Sequence, residues 1–256
     1  MRLTIMVKIT AISFSLILGL YFLLRNGDLP ESEFKGYEHA GNIDHSPWNT
    51  LLGKYVDTDG DVDYSGFKKD KKALQDYLDY LSANEPVNSW SKKTGLAYYI
   101  NLYNAATVLL ILENHPLSSI KDISSPWGKD RVSIGSKKYS LGAIEHKVLR
   151  KMNEPRIHFA INCASYSCPK LLNEAYTAHT LEAQLQKATK DFINDTKRNK
   201  ITGDALQLSN IFKWYKKDFT ENGSLIDYIN PYTQINISPK ADIDYLKYDW
   251  SLNEIK

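Results

Sequence analysis

The sequence predicts one α+β domain in which a helical first half packs on an antiparallel sheet, with an apolar segment ahead of it. The spacing of apolar residues predicts two long helices in the first half, over 68–82 and 94–113. A run at 156–163 alternates with a period of two residues, which is typical of a strand. Apolar residues make up 43% of the chain and charged residues 24%, which excludes a disordered or multi-span membrane protein.

The apolar N-terminal segment predicts a signal-anchor helix. Residues 9–24 form an uncharged run with Arg2 and Lys8 before it and Arg25 after it. The run is slightly longer than the apolar core of a signal peptide and slightly shorter than the roughly 20 residues that span a bilayer. Neither a small-residue cleavage site nor a cysteine for lipidation follows it. We therefore expect an uncleaved anchor in preference to a cleaved signal peptide or a buried helix.

This segment sets the expected organisation of the chain. We assign residues 1–25 to a signal peptide or membrane anchor, 26–47 to a polar linker and 48–256 to the folded domain. Positive residues before the apolar run predict an extracytoplasmic domain, anchored through residues 9–24 or secreted, and periplasmic in a Gram-negative bacterium. The formal charge is 32 − 30 = +2 and is spread along the chain, so we expect no nucleic-acid partner.

Turn signals predict two hairpins. The first is centred on Asp59-Gly60, and the second covers residues 130–140. Four aspartates alternate along the first turn as the ligands of a calcium loop would: Asp57, Asp59, Asp61 and Asp63. Lys68 stands where such a loop carries a bidentate glutamate, so we favour the hairpin over the calcium site.

The second half supplies the rest of the predicted fold. We expect an antiparallel sheet of residues 156–163 with strands around 200–208 and 243–249. An amphipathic helix is predicted over 181–193, and Ser209 is a suitable cap for a helix that holds Trp214 and Tyr215. We assign no chemistry to these two helices.

Two asparagines interrupt the apolar surface of the helix at 94–113. Asn101 and Asn104 are three residues apart, which places them on one face of the helix. Buried amides need hydrogen-bond partners. They either bridge buried backbone groups, which we favour, or supply donors to a catalytic centre.

A predicted helix from 140 to 152 carries a carboxylate and an imidazole side by side. Ser140 caps it, and Glu145 projects from the middle of its apolar stripe. A buried carboxylate needs a partner, because isolating it from water costs several kcal/mol. His146 lies about 100° further round, at the rim of the stripe, where a histidine can titrate near neutrality. The expected angle prevents Glu145 from simply orienting His146.

Two cysteines provide the candidate nucleophile. Cys163 ends the predicted strand, and Cys168 precedes Pro169, which would place Cys168 at a helix cap where the dipole lowers a thiol pKa. The alternatives are two buried structural thiols or a reversible disulfide. With only four residues between them, a disulfide adds little stability. No second Cys or His pair lies at zinc-finger spacing, so we expect no metal site.

Five segments, taken in order, resemble the family catalogued as domain of unknown function 547 (DUF547): YYINLYNA, SLGAIEHKVLR, RIHFAINCASYSCPKL, FKWYKKDF and YLKYDWSLN. The resemblance covers residues 48–252. That family is similar to papain-like and transglutaminase-like cysteine enzymes, which implies such a fold for this domain, while the family's activity is not established. Glu145, His146 and Cys163 match its Glu-His pair and its first cysteine, and the resemblance implies a functional role for them.

The same resemblance implies which of the other candidate residues are central to the site and which are accessory. Asn101 and Asn104 match the family's Asn-x-x-Asn helix, whereas Cys168 and His158 are implied to be accessory. Our hypothesis is a peptidase- or amidase-like acyl transfer on a peptide or amide substrate, without a cofactor. The alternatives are a non-catalytic peptide- or glycan-binding module and an envelope thiol/disulfide redox protein.

The acyl-transfer hypothesis assigns a role to each residue. Cys163 is the nucleophile, His146 the general base and then acid, and Glu145 or Asn101 the orienting group. The backbone amides after Cys163 are expected to form the oxyanion hole. We expect the remaining candidates Asn104, Ser165 and His158 to bind substrate. Cys168 is expected to be an accessory thiol.

Overall fold

The structure is a computed structural model and describes residues 43–255; the predicted anchor and most of the predicted linker lie outside this range. The helices are α1 (Ser46–Tyr55), α2 (Tyr64–Phe67), α3 (Lys71–Ala83), α4 (Lys92–Asn114), α5 (Leu141–Ala143), α6 (Leu181–Asn194), α7 (Asn210–Trp214), α8 (Lys216–Phe219) and α9 (Leu225–Ile229). The strands are β1 (Val132–Ile134), β2 (Lys137–Tyr139), β3 (Lys200–Ile201), β4 (Ala205–Leu208) and β5 (Asp242–Tyr245). This architecture is α+β, as the sequence predicts.

Helix α4 lies in the larger of two hydrophobic cores, and α1 and α3 contribute to the same core. The Ser91 side chain accepts a hydrogen bond from the Thr94 backbone N–H and caps its start. Within residues 43–255, α4 alone is long and apolar enough to cross a membrane, but 89% of its most apolar window is buried inside the protein. That burial is typical of a core helix and explains why α4 is apolar on every side.

Both predicted hairpins are present. The first is a tight turn in which Val56 and Val62 form one antiparallel bridge and Gly60 adopts a φ of 83°. Asp57 Oδ1 accepts a 2.9 Å hydrogen bond from the Asp61 backbone N–H, so this carboxylate stabilises the turn. The second hairpin pairs β1 with β2 in antiparallel register, with Val132 opposite Tyr139.

The sheet of the second half differs from the predicted one. Strand β4 pairs with β3 in antiparallel orientation and with β5 in parallel orientation. Helices α7, α8 and α9 lie between β4 and β5 in the chain. A parallel pair needs such a long crossover connection, so the prediction of a purely antiparallel sheet is wrong.

Residues 156–163 do not form a strand. Pro155–Phe159 is a 3-10 helix, and the Glu154 side chain accepts a hydrogen bond from the Arg156 backbone N–H at its start. Ile157 packs in the larger core, whereas Phe159 packs in a second core with residues of α6 to α9. All residues from Ile157 to Asn162 are buried, so the segment lies between two cores and lacks the exposed face that its alternation predicts.

Residues 141–152 are helical, as predicted, but the helix changes type along its length. Ser140 Oγ accepts a 3.1 Å hydrogen bond from the Ala143 backbone N–H and caps α5. A π-helix, Ile144–Val148, and then a 3-10 helix, Leu149–Met152, follow. The π-helix holds more residues per turn than an α-helix, so the angle between neighbouring side chains is smaller than the expected 100°.

The two helices predicted for the second half are confirmed. Leu185 and Phe192 of α6 are buried, and the opposite face of this helix is exposed, as its amphipathic pattern requires. Ser209 Oγ accepts a hydrogen bond from the Ile211 backbone N–H at the start of α7.

Candidate active site

A cavity of about 330 Å³ collects side chains from distant parts of the sequence. Its polar lining holds five residues singled out by the sequence: Glu145, His146, His158, Cys163 and Cys168. Six aromatic residues also line it: Tyr103, Trp127, Trp214, Tyr215, Tyr248 and Trp250. Two thiols, two imidazoles and a carboxylate therefore share one largely apolar space.

Asn162 fixes the loop that carries both thiols. Its Nδ2 donates a 2.8 Å hydrogen bond to the Pro169 carbonyl, and its Oδ1 accepts a 2.7 Å bond from the Ala164 backbone N–H. Ala164 adopts a φ of 57°, which is strained for a residue with a side chain. The strain lies directly after Cys163, where the surrounding hydrogen bonds hold the backbone in place.

The Cys168 sulfur is surrounded by hydrogen-bond donors. The Cys163 backbone N–H donates to it over 3.1 Å, the Ser165 hydroxyl over 3.2 Å and the Tyr248 hydroxyl over 3.3 Å. The Cys163 sulfur lies 3.3 Å from Ser165 Oγ and 3.7 Å from the Tyr248 hydroxyl. Both thiols thus share the same two hydroxyl groups.

These contacts place a negative charge on Cys168 in preference to Cys163. Burial alone would raise the pKa of Cys168, but hydrogen bonds from Cys163, Ser165 and Tyr248 outweigh burial and lower it. The hydrogen bond to the Cys168 side chain, together with burial, raises the pKa of Cys163 well above its usual value. Cys163 therefore keeps its proton in the resting site.

The predicted cause of a low Cys168 pKa is wrong. Residues 169–179 contain no helix, so Cys168 is not a helix cap and no helix dipole acts on it. The donors that lower its pKa come from the loop itself and from Tyr248, eighty residues away along the chain. Only the folded loop brings them together.

Glu145 is buried, as its position in the apolar stripe predicts. Its residue is 6% exposed, and Oε1 has no hydrogen-bond partner among the described residues. Burial, followed by the charge of Glu145 and a hydrogen bond to it, raises the pKa of Tyr215, which shows that this hydroxyl lies against the carboxylate. A buried carboxylate oxygen without a partner is costly and therefore attracts any nearby donor.

His146 lies at the rim of the cavity with 51% of its side chain exposed. Its Nδ1 is 3.7 Å from Glu145 Oε1, which is too long for a hydrogen bond. Arg150 Nη1 lies 3.3 Å from the same nitrogen. The expected failure of Glu145 to orient His146 by a direct hydrogen bond thus holds in this geometry, although the two groups are close.

His158 is held deep in the cavity wall. Its Nε2 lies 2.8 Å from Asp218 Oδ2, and its ring stacks on Tyr215 with 3.9 Å between centroids. Burial lowers the pKa of His158, and Asp218 opposes this effect. Arg150 completes the cluster with two hydrogen bonds to Asp218, at 2.6 and 2.7 Å. His158 is therefore a buried member of an ion-pair cluster.

Asn101 and Asn104 contact backbone groups. Asn101 pairs with both the carbonyl and the amide of Tyr176, at 2.7 and 3.0 Å. Asn104 donates to the Ala160 carbonyl over 2.9 Å and accepts from the Asn162 backbone N–H over 2.8 Å. Neither lines the cavity. This is the backbone-bridging alternative, and Asn104 thereby fixes the segment that leads into Cys163.

Two of the amides after Cys163, which were expected to form an oxyanion hole, are engaged within the protein. The Ala164 N–H donates to Asn162, and the Tyr166 N–H donates to the Ser251 carbonyl over 2.7 Å. Both donors are already used, so the loop does not present them to the cavity. Ser165, predicted to bind substrate, instead contacts the two thiols and Tyr248 through its hydroxyl.

Several residues of the site were not predicted. Trp214 and Tyr215, which belong to the helix capped by Ser209 and were assigned no chemistry, line the cavity. Asp218 and Tyr248 were not singled out either. The sequence signal that could have indicated them is the high aromatic content of FKWYKKDF and YLKYDWSLN, the segments that contain these residues. The two segments meet in the structure, where Trp214 and Trp250 stack with 5.8 Å between centroids.

The comparisons with known proteins agree with the resemblance noted from the motifs. The family model described as "Protein of unknown function, DUF547" matches residues 87–193. This region includes Asn101, Glu145, His146 and Cys163, and the chain resembles the DUF547 family over it. No curated protein and no solved structure matches this chain.

Proposed function

We propose that this protein is a cysteine-dependent acyl-transfer hydrolase of the peptidase or amidase type, with Cys163 as its nucleophile. The observation that carries the proposal is that Cys163, His146 and Glu145, from two separate segments, line one cavity. A nucleophile, a base and a carboxylate in one cleft are the parts that such chemistry requires. The substrate is a peptide or amide, and the domain acts outside the cytoplasm.

The proton of Cys163 determines the form of the mechanism. Because the pKa of Cys163 is raised, the thiol is not ionised in advance, and His146 removes its proton during attack. The sulfur then bonds to the substrate carbonyl carbon, the carbon–nitrogen bond breaks, and the imidazolium returns the proton to the leaving amine. Water, activated by the same imidazole, hydrolyses the thioester.

Glu145 stabilises the imidazolium in this scheme. Its Oε1 lacks a partner and lies 3.7 Å from His146 Nδ1. Catalytic hydrogen bonds are often long before substrate binds, so a small rotation of the ring allows Nδ1–H to donate to this oxygen once the ring is charged. The buried carboxylate then gains the partner that it lacks at rest.

The Tyr248 hydroxyl replaces the backbone amides as the oxyanion donor in our proposal, because its O–H can rotate from the Cys168 sulfur to a substrate oxygen, whereas a backbone N–H cannot rotate. It lies 3.7 Å from the Cys163 sulfur, within reach of a carbonyl oxygen attached to that sulfur. Burial raises the pKa of Tyr248 well above its usual value, so the hydroxyl keeps its proton and remains a donor. Asn101 has no part in this mechanism, since its amide is bound to the Tyr176 backbone.

An activated ester tests the proposal without knowledge of the natural substrate. The full-length protein is incubated with p-nitrophenyl acetate, and intact-mass and peptide mapping follow the acetyl group. We expect one acetyl group on Cys163, released with time, and none on the Cys163→Ala variant, whose thermal unfolding is nearly unchanged. The His146→Gln variant keeps the thiol but should acylate about 100-fold more slowly, within the range for loss of a general base.

Three results contradict this proposal. Acetylation that maps to Cys168 would show that Cys168, and not Cys163, is the nucleophile. Equal acetylation rates for His146→Gln and the wild type would show that His146 is not the general base. Loss of folding in Cys163→Ala would place this side chain in the core. The Cys168→Ala variant is the matched control, because it removes a thiol from the same loop and should still be acetylated on Cys163.

A second candidate function is thiol–disulfide exchange, and the shared hydroxyl contacts of the two thiols favour it. In this reaction the Cys168 thiolate attacks a disulfide substrate, and the Cys163 thiol resolves the mixed disulfide. The two cysteines lose two electrons and one proton, and the substrate becomes one thiol and one thiolate, which takes its proton from water. Glutathione disulfide should then convert both thiols together into one internal disulfide. A stable adduct on one cysteine would exclude this function.

A further inference from the structure

His146 Nδ1 lies between a hydrogen-bond donor and a hydrogen-bond acceptor. Arg150 Nη1, which can only donate, is 3.3 Å away. Glu145 Oε1, which as a carboxylate oxygen accepts, is 3.7 Å away and has no partner of its own. One ring nitrogen cannot satisfy both groups, because it either carries a proton or presents a lone pair.

The position of Arg150 is set independently of His146. Arg150 Nε and Nη2 donate to the two oxygens of Asp218 at 2.6 and 2.7 Å, which leaves Nη1 directed at the imidazole. The guanidinium also lies over the Tyr215 ring, 5.4 Å from its centroid. Such a two-pronged contact holds the guanidinium plane in place, whereas the half-exposed ring of His146 is free to turn.

We propose that Arg150 selects the tautomer of His146 and thereby keeps its Nε2 protonated until substrate displaces the contact. While Arg150 Nη1 donates to Nδ1, the lone pair of the neutral ring is on Nδ1 and the proton is on Nε2. When the ring turns towards Glu145 Oε1, Nδ1 carries the proton and Nε2 becomes free to accept one. Arg150 is therefore a positioning residue that opposes Glu145.

The consequence for catalysis rests on the proposed function. In the tautomer that Arg150 favours, Nε2 cannot accept the Cys163 proton, so the resting site is inactive as a general base. The proton balance of the reaction is unchanged, since the exchange from Nε2 to Nδ1 proceeds through water. A substrate that shifts the ring towards Glu145 produces the active tautomer and uses the orphaned carboxylate oxygen.

Nitrogen NMR of the imidazole tests the inference directly. The full-length protein is labelled with ¹⁵N-histidine, and His146 is assigned with the His146→Gln variant. Protonated and unprotonated ring nitrogens have widely separated shifts, so the tautomer is read without any activity measurement. We expect the Nε2–H form in the wild type at a pH where the ring is neutral, and a shift to the Nδ1–H form in Arg150→Met.

The outcomes separate this inference from the proposed function. A wild-type His146 with Nδ1–H overturns the inference, as does an Arg150→Met variant that retains Nε2–H. If the tautomer changes as expected, acetylation of Cys163 by p-nitrophenyl acetate should rise about tenfold in Arg150→Met, within the effect of a general base. A changed tautomer with an unchanged acetylation rate would contradict the proposed function and leave the role of Arg150 intact.

Two controls guard against a folding artefact. The signals of His158, which also contacts Asp218, report whether the cluster survives in Arg150→Met. If that variant does not fold, Glu145→Gln is used, because an amide in place of the carboxylate removes the charge that favours Nδ1–H. Glu145→Gln should keep the Nε2–H form of His146 both alone and combined with Arg150→Lys. An Nδ1–H signal in either protein would overturn the inference.

Discussion

The backbone N–H of Cys163 donates a hydrogen bond to the sulfur of Cys168 over 3.1 Å. A backbone donor cannot rotate away or lose its proton, so it favours a thiolate on Cys168 permanently. The Cys163 side chain also donates towards the same sulfur, and the pKa values of the two thiols move in opposite directions. The two cysteines are therefore one unit, and each controls the reactivity of the other.

Replacing Cys168 by Ala should make Cys163 more reactive. The hydrogen bond to the Cys168 side chain is the main cause of the raised Cys163 pKa, so its loss lowers that pKa. Each unit by which the pKa falls increases the thiolate fraction at neutral pH about tenfold. The rate of iodoacetamide addition, followed by intact mass between pH 5 and 9, measures the change. An unchanged or slower rate would show that the two thiols do not interact.

Replacing Tyr248 by Phe should raise the pKa of Cys168. The hydroxyl donates to this sulfur over 3.3 Å, and its removal leaves the ring and its stacking on Trp250 in place. Alkylation of Cys168 should therefore shift to higher pH, with little loss of stability. Tyr166→Phe is the matched control, because it removes an exposed hydroxyl from the same loop and should leave the profile of Cys168 as it is.

Asn101→Ala is expected to destabilise the fold without changing the thiol chemistry. The variant leaves both backbone groups of Tyr176 unpaired, and buried unpaired groups cost about 1–3 kcal/mol each. Urea denaturation should show a loss of a few kcal/mol, with an unchanged Cys163 alkylation rate in the folded protein. Asn114→Ala, at the exposed end of α4, should cost much less. A stable Asn101→Ala protein with altered Cys163 reactivity would restore the catalytic role predicted for Asn101.

Stability should fall as the pH drops below neutral. Burial lowers the pKa of His45 from 6.5 to about 4 and also lowers that of His158. Below pH 6.5 the unfolded chain binds protons that these buried rings in the folded chain do not bind. The contribution of these two rings to the free energy of unfolding is thus at its full value above pH 6.5 and decreases towards pH 4, by at most about 1.4 kcal/mol per pH unit for each ring.

Urea denaturation at several pH values checks this dependence. His45→Gln should give a shallower decrease between pH 6.5 and 4, because one proton-binding site of the unfolded chain is gone. The amide of Gln can still hydrogen-bond to the Tyr77 hydroxyl, which contacts His45 Nδ1 at 2.7 Å in the wild type. Parallel profiles for the two proteins would exclude His45 as a source of the pH dependence.

Local patterns in the sequence predicted features that depend on neighbouring residues. Ser140 and Ser209 cap helices as expected, and Asp59-Gly60 forms a turn because glycine accepts a positive φ. The burial of Glu145 followed from its place in an apolar stripe. The strand prediction for 156–163 is wrong because a short period-two pattern does not specify backbone conformation, and this segment is instead buried between two cores.

The sequence by itself determined the α+β class, most helices and the identity of the thiols, the imidazoles and the buried carboxylate. Only the tertiary structure decided which of these groups touch. Tyr248 reaches Cys168, and Asp218 joins Arg150 to His158, across sixty or more residues of chain. Periodicity reports which face of a segment is buried, whereas pKa and tautomer depend on the few donors and acceptors that lie close to the group, which the packing of distant segments supplies.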